Sequence, residues 1–267
     1  MLHVSDLWPD TAIELGALRS PAGIRGARWL ERQAYRRASL IAAPTRGIVE
    51  EIARRPEAAG KVRLMLPSVD LERFAAPPLE QRGPLRVLYA GTVGMAQGLD
   101  TLVRAAGMAG PDAVRVTIAG DGAELARVRA LASGLHNVEV IGAVAADAVP
   151  GLYAQADVGA VLLRDLPLFR GALPSKLFEV MAAGRPVVLA AAGEAAELVR
   201  GGRAGLVVAP EDPRALANAF LQAAGLRESD LREMGERART LAGDFDRPRL
   251  VDRWHSMLAE LVSGRLV

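Results

Sequence analysis

From Leu85 to Ala224 the chain repeats one arrangement: a short apolar run, then a stretch with helical spacing. The runs Leu85–Ala90, Val114–Ala119 and Val138–Ile141 are mostly apolar, interrupted by Arg86, Arg115, Thr117 and Glu139, whereas Val158–Leu163, Pro186–Ala190 and Gly205–Val208 are continuously apolar. A strand of that kind is buried on both faces, which is the condition of a parallel sheet with helices above and below. The intervening stretches Leu99–Met108, Glu124–Ser133, Val149–Gln155, Lys176–Ala183, Ala195–Arg200 and Pro213–Ala224 supply those helices. Gly91, Gly120, Gly142 and Gly184 punctuate the alternation. The expected fold class is α/β, with one complete doubly wound domain.

The flanks differ. Before residue 76, strand-like His3–Leu7, Leu40–Ala43 and Val62–Leu66 alternate with helix-like Ala22–Arg37 and Thr45–Arg54. Three strands and two helices are too few to cover both faces of an open sheet, so a partial Rossmann-like domain is expected over residues 1–75. Pro67 to Phe74 and Ala75-Ala-Pro-Pro read as a linker. The complete domain is expected over 76–245, including a helix at Glu228–Ala242. Asp246-Arg-Pro then opens a last helix, Pro248–Val262, within a 246–267 segment expected to pack back towards the first domain.

Composition narrows the chemistry. With no cysteine there is no disulfide, thiolate metal site or cysteine nucleophile. His3, His136 and His255 are scattered without metal-ligand spacing, and no G-x-S-x-G elbow occurs. No metal site is expected, and no cofactor. A net charge of +2 is too small to argue for nucleic acid. No apolar run approaches the roughly 18 residues of a membrane span, and Met1-Leu-His-Val-Ser-Asp has no signal-peptide pattern. A cytoplasmic setting is the expectation. Among many arginines, Lys61 and Lys176 are the only lysines.

In a doubly wound sheet, ligands sit beyond the carboxyl ends of the strands. There the loop Gly91-Thr-Val-Gly-Met-Ala-Gln-Gly has three glycines ahead of a helix, able to bring N–H groups near phosphate oxygens. Its spacing fits neither the dinucleotide fingerprint nor a P-loop, and a plain tight turn is the competing reading. Pro174-Ser-Lys-Leu-Phe-Glu is the second candidate, with Ser175 expected as N-cap. Lys176 then stands in a first turn, where the dipole disfavours a cation by up to ~1 kcal/mol. A diphosphate would reverse that balance. Glu179, three residues on, shares its face and can accept hydroxyl hydrogen bonds from a ribose. The plain alternative is an exposed Lys–Glu pair of little energetic consequence. Asp121, in Gly-Asp-Gly, reads first as turn chemistry.

Taken together, Tyr89-Ala-Gly-Thr-Val-Gly-Met-Ala-Gln-Gly-Leu-Asp, Ile118-Ala-Gly-Asp-Gly and Pro174-Ser-Lys-Leu-Phe-Glu-Val-Met-Ala-Ala-Gly-Arg-Pro-Val-Val resemble the group 1 (family 4) retaining glycosyltransferases of the GT-B fold. Gly193-Glu-Ala-Ala-Glu-Leu-Val, Ala204-Gly-Leu-Val-Val and Asp212-Pro-Arg-Ala-Leu continue the resemblance, whose flavour is the branch building colanic acid, O-antigen and lipopolysaccharide. Ser5-Asp-Leu-Trp-Pro-Asp, Tyr35-Arg-Arg-Ala and Leu66-Pro-Ser-Val-Asp-Leu-Glu-Arg-Phe resemble the later part of the family's acceptor domain, which implies a chain truncated at its front.

The resemblance implies a nucleotide-sugar donor, a UDP-sugar foremost, held by Gly91, Thr92, Gly94, Gln97, Gly98, Gly142, Ala143, Ser175, Lys176, Glu179, Gly193 and Glu194. Glu179 matches the second Glu of the family's E-x(7)-E motif. The first would fall at Gly171, so that carboxylate is absent. Where the family often places Arg and Lys against the diphosphate, this chain has Thr92 and Gln97, and Lys176 becomes the replacement cation. No catalytic residue is assigned. The implied reaction is transfer of a sugar, with retention, to a glycan or polyprenyl-linked acceptor. The alternatives are a non-catalytic sugar-nucleotide-binding remnant and an epimerase of the same fold, for which no acid/base motif is found.

Arg25, Arg28, Arg32 and Arg36 form a helical stripe opposite Ile24, Ala27, Ala34 and Ala38. Such a helix can settle on an anionic membrane surface, at the inner face of the cytoplasmic membrane, or can be an ordinary solvated face.

Overall fold

A computed structural model describes residues 1–77 and 83–263. Pro78 of the expected linker and the last four residues of the expected C-terminal segment lie outside the described residues. The chain forms two compact units. The first comprises Met1–Ser68, Leu166–Leu173 and the chain from Arg247; the second comprises Val69–Asp165 and Pro174–Asp246.

The first unit contains β1 (Leu2–His3), α1 (Asp10–Glu14), α2 (Pro21–Arg37), β2 (Ile41–Ala43), α3 (Arg46–Ala53) and β3 (Val62–Leu64). The strands form a parallel sheet in the order β1-β2-β3. The strand expected over His3–Leu7 ends at His3. Val4 N–H makes the last contact, to Ala42 O, and beyond it the Thr11 hydroxyl donates to the Asp6 carboxylate and Thr11 N–H to Leu7 O, which draws these residues into the entry of α1. Ser20 and Thr45 cap α2 and α3 by accepting from Gly23 and Ile48 N–H. Tyr35, Ile41, Ile48 and Ile52 form the small core. Lys61, one of the two lysines, donates to the carbonyls of Tyr35 and Arg36 at 3.1 Å and so satisfies the end of α2.

The second unit contains β4 (Leu85–Ala90), α4 (Leu99–Ala109), β5 (Val114–Ala119), α5 (Leu125–Ala132), β6 (Val138–Gly142), α6 (Val149–Gln155) and β7 (Val158–Leu162). It continues with α7 (Ser175–Ala182), β8 (Val187–Ala190), α8 (Glu194–Gly201), β9 (Gly205–Val208), α9 (Pro213–Ala224) and α10 (Glu228–Ala242). All pairings are parallel, in the order β6-β5-β4-β7-β8-β9. Sequence order therefore reverses between β4 and β7, which places a ligand crevice beyond Ala90 and Leu162. Leu85, Val87 and Tyr89 turn to one face and pack with Leu102 of α4 and Leu216 and Phe220 of α9, all buried. Each such side chain contributes about 1.5–3 kcal/mol by burial. On the other face α7 packs against α10, and the Phe178 and Phe245 rings lie 4.5 Å apart.

One feature has no counterpart in the sequence pattern, and the last helix lies where Pro248 places it. A 3₁₀ turn at Pro167–Gly171 belongs to the first unit although its neighbours in sequence belong to the second. A last helix, α11 (Arg247–Val262), belongs to the first unit as well. Among the described residues, no helix is long and apolar enough to cross a membrane.

Candidate active site

The reversal of strand order is floored by two loops locked to each other through their backbones. Gly91 N–H donates to Ala119 O and Val93 N–H to Asp121 O, while Gly120 N–H donates to Gly142 O. A Cβ at Gly120 would lie 1.8 Å from the Gly91 carbonyl oxygen, so only glycine permits this approach. Gly94 N–H takes the Gln97 side-chain oxygen at 3.1 Å, and Gln97 N–H donates to Gly94 O. The amides of Gly91, Val93, Gly94 and Gln97 are thus already donated within the protein. This narrows the expected phosphate cradle, and Gln97 braces its own loop. Thr92 is exposed, and its carbonyl accepts the Tyr89 hydroxyl at 2.5 Å.

Lys176 crosses from α7 to this loop. A Cβ on Gly91 would lie 2.9 Å from Lys176 Cε, and Nζ stands 5.0 Å from the Tyr89 ring centroid. The residue is 8% exposed. Among the described residues Nζ has no hydrogen-bond or ion-pair partner. Burial pushes the amine down to about 8, opposed by the neighbouring Glu179 carboxylate. No ion pair joins Lys176 to Glu179, so the exposed-pair alternative does not describe this lysine. Burial raises the Glu179 carboxyl, with Lys176 and then Arg73 pulling it down. A half-buried carboxylate beside a buried ammonium that it does not contact is suited to a ligand that brings both an anion and hydroxyl groups.

Ser175 is not the cap of α7. Pro174 occupies that position in extended conformation, its carbonyl accepts Leu177 N–H, and Ser175 is the first helical residue, exposed. Proline has no N–H to orphan and precedes a helix at little cost, so the boundary moves back by one residue. Gly98 caps α4 in left-handed conformation at φ 58°. Gly142 closes β6 beside the Arg129 guanidinium, and Ala143 after it is exposed. Gly193 and Glu194 open α8 beyond β8; they share the carboxyl edge with the Gly91 loop but are placed by a different strand.

The missing carboxylate at Gly171 has a steric explanation. A Cβ there would lie 2.9 Å from the Gly47 Cα at the start of α3, so a side chain has no room.

Arg164 was not anticipated. Directly after β7, its N–H donates to Ala96 O at 2.9 Å and its Nε to Met95 O at 2.6 Å, while Nη1 meets Glu211 at 2.8 Å. Glu211, held at φ 55°, also accepts Asp165 N–H. This clamp ties the Gly91 loop to the end of β7 and to the turn after β9. The available signal was position, a charged residue immediately after the strand at the reversal. Arg73, in the expected linker, was also missed; it donates to Ala146 O and lies within electrostatic reach of Glu179.

A doubly wound α/β domain with a buried lysine at the reversal of strand order is the class these features define. The glycosyl transferases group 1 model matches residues 84–225, more than half of the chain, and the chain belongs to that family. An exopolysaccharide phosphotransferase of Streptomyces coelicolor is 28% identical over 99% of this chain and 28% of its own length. The putative colanic acid biosynthesis glycosyl transferase WcaI of Escherichia coli is 26% identical over 72% of this chain and 51% of its own. The chain thus spans from about a quarter to about half of these curated relatives. Among solved structures, Anabaena HepE in complex with UDP and glucose has a TM-score of 0.78 at 22% identity, covering 97% of this chain and 70% of that one. Sucrose-phosphate synthase from Thermosynechococcus elongatus has a TM-score of 0.75 at 22% identity, over 93% of this chain and 63% of that one. These likenesses show the GT-B fold.

Proposed function

We propose that this chain binds a nucleotide-sugar, a UDP-sugar foremost, and transfers its sugar with retention of configuration to a glycan or polyprenyl-linked acceptor in polysaccharide biosynthesis. The observation that carries the reading is Lys176: a buried lysine whose ammonium has no hydrogen-bond or ion-pair partner among the described residues, with Glu179 as its electrostatic neighbour, set against Gly91 where the strand order reverses. In this reading the leaving diphosphate meets the start of α7 and Lys176 together, with no metal called for, and electrostatic stabilisation of the leaving group supplies the catalysis. Glu179 receives the ribose hydroxyls. Support for UDP comes from the HepE complexes with UDP and with UDP-glucose. The setting is cytoplasmic, with a lipid-linked acceptor presented at the inner face of the membrane.

A second reading, a sugar-nucleotide binder without transfer, draws on Gly171, whose lack of space excludes the family's first carboxylate. Calorimetric titration with UDP and UDP-sugars tests donor binding, and absence of heat with every nucleotide refutes both readings. A transfer assay with NMR of the anomeric product then separates them: a retained anomer supports the enzyme, an inverted one refutes retention, and binding without turnover selects the second reading.

A further inference from the structure

We propose that the outward face of α2, centred on Trp29 and flanked by Arg25, Arg32, Arg36 and Arg37, docks on an anionic phospholipid surface. The structure divides the helix sharply. Ala27, Glu31 and Tyr35, at spacings of four, are buried. Ile24, Ala34 and Ala38 lie on the same side, half-buried. The apolar stripe that the sequence offered to a membrane is therefore consumed by packing, and Glu31, the helix's one acid, goes in with it. Insertion by that stripe is excluded.

What remains outside is a different amphipathic surface. Trp29 and Leu30 are each 54% exposed. Arg25 and Arg32 lie four residues before and three after Trp29, and Arg36 one further turn on, so the indole sits among guanidinium groups. Among the described residues, Arg25, Arg32 and Arg37 have no ion-pair partner, and Arg36 has only a 3.5 Å contact with Glu57 while 59% exposed. Arg28 does not belong to this set, since it turns to Asp10 at 3.5 Å. No carboxylate of the helix lies on the outward face.

A half-exposed tryptophan is unfavourable in water and favourable at the headgroup level of a bilayer, where its apolar body is covered and its N–H stays wet. Four arginines around it match a negative surface potential. Nucleic acid would be met equally well by the arginines, but gives Leu30 nothing; a bilayer accommodates both. The surface holds the helix flat, with its axis in the interface plane. This inference rests on the helix surface alone, so a failure of the donor reading leaves it standing.

The test is sedimentation of the whole chain with phosphatidylcholine vesicles, pure or with about a third phosphatidylglycerol, beside Trp29→Ser and the double variant Arg25→Gln/Arg32→Gln. Binding to the anionic vesicles is expected, weakening as salt rises, with little to the neutral ones. Each arginine contributes ~5-fold, so the double variant binds ~25-fold more weakly. Trp29→Ser loses ~10-fold together with the blue shift of indole emission. Unchanged circular dichroism and thermal melts confirm that both variants remain folded. Equal affinity for neutral vesicles, no binding to anionic ones, or binding that survives both variants overturns the proposal. If the arginine pair matters and Trp29 does not, the face is a general polyanion contact and the membrane assignment fails.

Discussion

Replacing Lys176 by methionine separates stability from ligand binding in opposite directions. The lysine is 8% exposed, and its amine falls from the ordinary 10.5 to about 8 because burial disfavours the charged form. At about 1.4 kcal/mol per pH unit, holding it protonated in the ligand-free protein costs about 3 kcal/mol. The sign follows from proton counts. Below pH 8 the folded and unfolded chains both carry the proton, and the whole cost is present. From pH 8 to 10.5 the unfolded chain binds more protons than the folded one, so stability rises with pH. Above 10.5 both are neutral and the cost is gone.

Lys176→Met keeps the stem's packing and removes the charge, so it stabilises the ligand-free protein by about 3 kcal/mol at pH 7, or roughly 6–12 °C in Tm. That advantage shrinks to near zero by about pH 10.5. Binding moves the other way. Loss of a charge-assisted contact to a diphosphate weakens UDP by about 10–100-fold. Thermal melts of both proteins across this pH range, paired with UDP titrations at pH 7, measure both effects. A variant no more stable than the parent at pH 7, or a difference that does not depend on pH, refutes the buried-ammonium argument. An unchanged UDP affinity removes Lys176 from the donor site.

Three further outcomes follow from the geometry. Arg164→Ala releases the Met95 carbonyl and Glu211, so calorimetry is expected to find UDP binding about 5-fold weaker; the pair is partly exposed and Tm falls by only about 2–4 °C. Recovery of UDP affinity in Arg164→Lys without recovery in Tm would mark positioning rather than bulk stability. Gly171→Glu, which restores the family's carboxylate, is expected to cost about 1–3 kcal/mol in denaturant unfolding by collision with the Gly47 backbone, and gains no donor affinity; a folded, tighter-binding variant refutes the steric account. Phe220→Ala, emptying a fully buried site between α9 and β4, costs about 3–5 kcal/mol by the same measurement, and a loss below 1 kcal/mol contradicts the described core.

Legibility in the sequence followed the range of the forces involved. The strands Leu85–Ala90 and Val114–Ala119 and the helix Pro213–Ala224 lie where the pattern put them, since each is set by periodicity and by caps or proline a few residues away. Lys176 and Glu179 were visible as a pair because helical spacing puts residues three apart on one face. Periodicity alone overreached at His3–Leu7, where Thr11 draws Asp6 and Leu7 into the entry of α1, and at Ser175, where Pro174 takes the cap.

Local alternation of apolar runs and helices was enough to determine a parallel sheet wound on both faces, because a continuously apolar strand has no stable place in water. Only the tertiary structure decided that Lys176 is buried against Gly91, that Gln97 and four loop amides are engaged internally, and that Arg164 reaches Met95 and Glu211. It likewise decided which side of α2 faces water, leaving Trp29 out and Glu31 in. The physical reason is distance along the chain. Contacts joining residues 91 and 176, 95 and 164, or 47 and 171 depend on how distant segments pack, and no pattern within a few residues carries that information.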